Sequence, residues 1–195
     1  DIRVMFEMFR KANISYIELL FTDFKIINPE WAEFIEPLFA NRELISRYHR
    51  NQFLRCIAGM AMEKRKALCH PYPNLIEKIE KYGYDGKQLH HCVRLYNFIT
   101  RFVNGESLDT CYKMKAPMHN ILMNYKKQKD AYGDPMSKER AIEICDYYVA
   151  EIGKIKEAAL TEEEVLDKDA EKLLSRILLK IIKAKMIKDL EVNHD

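Results

Sequence analysis

Hydrophobic positions recur every three or four residues along most of this chain, the period of an amphipathic helix. Met5, Met8, Phe9 and Ala12 carry that period through residues 2–12, and Asn13 is expected to stop the helix in a left-handed conformation. Tyr16-Ile-Glu-Leu-Leu-Phe21 is short, apolar and aromatic, which predicts a buried strand at a sheet edge. Asn28-Pro29 opens another helix, which Pro37 is expected to end or kink before Phe39. Residues 45–68 predict one long helix with Phe53, Leu54, Ile57, Ala58 and Ala61 on its apolar side. Pro71-Tyr-Pro73 breaks it, residues 74–81 predict a short helix, and Gly83-Tyr-Asp-Gly86 reads as a turn. A helix starting at Lys87 then runs to Asn104-Gly105. Further helices are expected over 118–129 and 137–159, separated by a loop at 130–135. Thr161-Glu-Glu-Glu164 has the spacing of a capping box, and Leu173, Leu174, Ile177, Leu178, Ile181, Ile182 and Met186 mark a last helix. The fold expected is mainly α: a multi-helix bundle with one or two short strands near the N-terminus.

Composition narrows the class. With 195 residues and a net charge of +2, the chain is long enough for a well-cored domain and is not coated in basic residues for non-specific nucleic-acid binding. Its five cysteines are scattered, odd in number and form no C-x-x-C pair, which points to reduced thiols and a cytoplasmic protein. No apolar run approaches the roughly 20 residues that span a bilayer, so no membrane partner is expected.

The chemistry concentrates in one helix. Lys87, His91 and Arg94 lie at i, i+4 and i+7 and so share a face, opposite Leu89, Cys92, Val93, Tyr96, Ile99 and Val103. Like charges on neighbouring turns repel, and a phosphate or carboxylate would relieve that repulsion; Arg can grip two oxygens while Lys acts as a point charge. Charged outer faces are also the rule for amphipathic helices, and periodicity alone favours that plainer reading. A second basic stretch, Arg47, His49, Arg50, Arg55, Lys64, Arg65 and Lys66, reads as a solvated face, since no nucleic-acid motif accompanies it. Cys69-His70 and His90-His91-Cys92 lack the paired short spacings of a zinc site, and His119 with Cys111 offers no better set, so no metal ligands are assigned. Nucleophile-elbow, P-loop, dinucleotide and zinc-protease motifs are absent, and no catalytic residue is assigned. Glu18 and Asp23 are the carboxylates nearest the expected strand, and two alternating on one strand are not found.

Asp1-Ile-Arg-Val-Met-Phe6, Lys11-Ala-Asn13, Ile17-Glu-Leu-Leu-Phe21, the Lys87-x-x-x-His91-x-x-Arg94-Leu95 row and Gly105-Glu-Ser107 follow in an order that resembles nucleotidyltransferases of the DNA polymerase β superfamily. Ile14 stands where that family usually has Pro, Gly86 where Pro is common, and Tyr96 where Leu is usual. The resemblance implies a Gly-Ser turn and an Asp-x-Asp strand that binds Mg²⁺, both expected upstream of Asp1, where the first helical stripe also points. Residues 1–40 would then be a remnant of an α/β catalytic domain and 41–195 a C-terminal helical domain. Lys87, His91 and Arg94 would bind the phosphates of a nucleoside triphosphate. Glu18, read from its place on the expected strand, is a catalytic or metal-supporting carboxylate, or simply a strand residue on a wet face. The implied reaction moves a nucleoside monophosphate from an NTP to an acceptor hydroxyl on RNA, protein or a small molecule, and residues 1–195 alone are expected to be inactive. The alternative is a non-catalytic helical module that binds RNA or a protein partner, with the Leu173–Met186 stripe as a docking helix or part of the core.

Overall fold

The computed structural model describes residues 1–163 and 166–192. The described residues form eleven α-helices and no strand; the one β-type contact is an isolated bridge between Lys129 and Pro135. The chain is mainly α, and none of the described helices is long and apolar enough to cross a membrane. Its contacts divide it into two units, Asp1–Phe53 with Thr161–Asp195, and Leu54–Leu160. The sequence reading instead set the boundary at 40/41. The difference comes from the last helix, whose apolar stripe groups with the first helices rather than with the middle of the chain.

Unit 1 contains α1 (Ile2–Arg10), α2 (Ile14–Leu19), a short 3-10 turn at Pro29–Trp31, α3 (Ala32–Ala40), α4 (Arg42–Ser46) and α11 (Lys168–Val192). The expected strand at 16–21 is helical. The Asn13 side chain accepts from the Ser15 and Tyr16 amides and so starts α2. Ile14, Ile17, Leu20 and Phe21 are then buried at helical spacing. The left-handed residue that ends the first helix is Ala12, at φ +51°, not Asn13. Nor does Pro37 end α3: the helix runs on to Ala40, burying Leu38, and the Pro37 carbonyl accepts from both the backbone and side-chain nitrogens of Asn41.

The long helix expected over 45–68 is two helices, α4 and α5 (Arg50–Ala67), because buried Tyr48 sits in the break and its carbonyl accepts from the Asp167 amide at 3.0 Å. Thr161 does not cap α11. Asp167 does, accepting from the Asp169 and Ala170 amides at 2.9 and 3.0 Å. Glu164, the other half of the expected capping box, lies outside the described residues. Thr161 is instead held by Asn51, whose side chain accepts from the Thr161 amide and donates to its carbonyl.

Helix α11 packs against α1, α3 and α4. Leu173, Leu174, Ile177 and Ile181 of its stripe are buried, so that half of it is core. Leu179, Met186, Ile187 and Leu190 stay exposed. Behind α1, Ile2, Trp31, Ile35, Ile181, Ile182 and Met186 line an apolar cavity of about 550 Å³.

Unit 2 holds the rest of α5, then α6 (Ile76–Tyr82), α7 (Gly86–Val103), α8 (Leu108–Tyr112), α9 (Ala116–Lys126) and α10 (Lys138–Ala159). Helix α7 is its axis, packed on α8, α9 and α10. Leu89, Cys92, Val93, Leu95, Phe98, Ile99 and Phe102 are buried along it. On the α10 side, the Cys92 thiol donates to the Cys145 carbonyl at 3.8 Å and Tyr96 packs on Tyr148 with ring centroids 4.9 Å apart.

Candidate functional site

The start of α7 is fixed by Asp85. Its side chain accepts from the Lys87 amide at 3.1 Å, from Lys78 Nζ at 2.6 Å and from Gln88 Nε2 at 3.0 Å, and its own amide donates to the Leu68 carbonyl at 2.8 Å. Burial pushes the Asp85 carboxyl up, but the Lys78 ammonium, the Lys87 amide and Gln88 together outweigh it, so the group sits below the usual carboxylate range. The next residue has no room for a side chain. A Cβ on Gly86 would lie 2.2 Å from the Tyr125 carbonyl oxygen of α9. Glycine is therefore required at this position by how closely α7 meets α9.

From that anchored start, Lys87, His91 and Arg94 come up on one face, as the spacing requires. Lys87 is exposed, and His91 and Arg94 are half-buried. The structure adds cations that chain spacing alone does not reveal. Lys64 of α5 acts on His91, together with His90, Arg94 and Lys87. On His90 act Arg94, Lys126 and His119 of α9, and Lys87. The positive charges that bear on the two rings, Lys64, Lys87, Arg94 and Lys126, come from three helices.

The consequence is that the imidazoles resist protonation. Burial first, then His90, Lys64, Arg94 and Lys87, push His91 down to about 4. His90 is lowered by the same kinds of cause. At neutral pH both rings are therefore uncharged and can each donate one N–H. They lie edge to face, with centroids 5.1 Å apart at 82°, and the buried Nδ1 of His90 has no hydrogen-bond partner.

Glu18 belongs to the other unit. It lies on α2 in unit 1, half-buried, and is not on a strand. Among the described residues, no group of three or more His, Cys, Asp or Glu is arranged to hold a metal ion; the resemblance puts its Mg²⁺ ligands upstream of Asp1. Sequence reading missed Lys64, His90, His119 and Lys126 as members of the cluster, because α5 and α9 are brought to α7 only by folding. The one local signal was the His90-His91 doublet, which was weighed only as a zinc motif.

Comparison with family models, with curated sequences and with solved structures found no match to the chain.

Proposed function

We propose that this chain is the phosphate-binding helical part of a nucleotidyltransferase, which moves a nucleoside monophosphate from an NTP to an acceptor hydroxyl. The observation that carries the reading is the Lys87, His91 and Arg94 face of α7, with Lys64 of α5 and Lys126 of α9 adding positive charge beside it. In phosphoryl transfer, negative charge spreads over the non-bridging oxygens, and preorganised cations lower the cost of that charge. Lys87 supplies an exposed ammonium, Arg94 a guanidinium that can span two oxygens, and His91 a neutral N–H donor.

Calorimetric titration of residues 1–195 with ATP tests this. Binding is expected, and Lys87→Glu should weaken it at least about tenfold, a reversal worth on the order of 1.4 kcal/mol or more. Arg94→Glu should do the same. Lys87 is exposed, so its variant should remain folded. Salt-sensitive binding of single-stranded RNA with no affinity for ATP would overturn the reading in favour of a non-catalytic module.

A further inference from the structure

Between α2 and the 3-10 turn at Pro29, residues 22–28 of unit 1 form no helix. Among the described residues, the amides of residues 23–27 donate no hydrogen bond. Of their carbonyls only that of Phe24 accepts one, from the Thr22 hydroxyl at 3.1 Å. The side chains alternate. Lys25 lies back against α3, its Nζ 3.9 Å from the centre of the Phe39 ring, and Ile27 is half-buried. Phe24 and Ile26 face the other way and are 83% and 87% exposed. A period of two along an unpaired backbone is the geometry of an edge strand without a neighbour.

We infer that residues 22–26 pair, antiparallel, with the same residues of a second copy of this chain. Symmetry and charge select both that occupant and its register. A two-fold axis relating antiparallel neighbours runs perpendicular to the sheet, so each residue faces one that points to the same side. Centring the pair on Lys25 would set two ammonium groups opposite each other, and centring it on Asp23 would do the same with two carboxylates. Centring it on Ile26 would set Asp23 opposite Pro29, which has no amide to give. Centring it on Phe24 sets each Asp23 opposite Lys25 of the other copy, both pairs on one side. On the other side Phe24 meets Phe24, flanked by Thr22 opposite Ile26. The exposed apolar side chains then pack on one another, and the open amides and carbonyls of both edges are used. So short a ladder holds weakly, and the association depends on concentration.

Sedimentation equilibrium of residues 1–195 between about 10 μM and about 1 mM should show a reversible dimer. Asp23→Lys sets like charge opposite Lys25, and Lys25→Asp sets like charge opposite Asp23. Each variant alone should therefore dimerise at least about tenfold more weakly. Mixing the two variants restores opposite charges at both positions, and the mixture should regain the wild-type affinity as a heterodimer. Both residues are exposed, so the variants should keep the fold, which circular dichroism checks. A wild-type chain that stays monomeric at every concentration would overturn the proposal. A dimer unaffected by either variant would also overturn it, by putting the contact elsewhere. A mixture that associates no better than its separate components would refute the register.

Discussion

Unit 1 and unit 2 each concentrate one kind of surface, and the two differ in what it takes to maintain them. In unit 1 it is the apolar cavity beside α1, α3 and α11, flanked by the exposed Met186, Ile187 and Leu190. Such a surface needs only that no side chain be large enough to fill it. In unit 2 it is the cationic cluster, whose members repel one another and are held together by packing on the other side of α7. The cluster is therefore only as well placed as the helix that carries it, and its weak points lie behind the charges rather than among them.

That contrast breaks most sharply at Gly86. Gly86→Ala drives a methyl group into the Tyr125 carbonyl and should cost about 3 kcal/mol, read as a fall in the denaturant midpoint. ATP binding should fall with it, because α7 and α9 would move apart; a tolerated alanine would show that the charges do not depend on this contact. Next comes Asp85→Ala, which removes the helix cap and leaves Lys78 and Gln88 without their acceptor. A loss of about 1–2 kcal/mol in chemical denaturation is expected.

Acid gives the smallest effect. The unfolded His91 takes up a proton near 6.5 and the folded one not until about 4, so between these values the unfolded state binds more protons. Stability should be complete above about pH 6.5 and decline as the pH falls toward 4. The loss should be on the order of 1–2 kcal/mol, after allowance for the ring's remaining exposure. Thermal melts across the range measure it.

How far the sequence could be read differs between the same two regions, for a physical reason. Helix α7 has a cap at Asp85, an unbroken apolar stripe and a left-handed Gly105 past its end, so local and tertiary preferences agree. Its Lys87, His91 and Arg94 face was legible because all three residues belong to one helix. In the first 53 residues, short helices are set by side-chain caps and long-range contacts. The six residues at 16–21, five of them apolar or aromatic, fit a strand as readily as a turn and a half of helix, and the Asn13 cap decides between them. The break at Tyr48 was invisible because its partner, the Asp167 amide, is over a hundred residues further along the chain.

The discontinuity of unit 1 also bears on how the protein is made. A chain leaving the ribosome presents Leu54–Leu160 as one uninterrupted stretch, so every contact within unit 2 can form as soon as α10 has emerged. Helices α1, α3 and α4 emerge earlier still, yet the apolar faces they turn toward α11 have no partner until α11 itself has been translated. These earlier helices are therefore covered only after unit 2 can form, and through that interval their uncovered leucines, isoleucines and phenylalanines are the surface for a chaperone to guard.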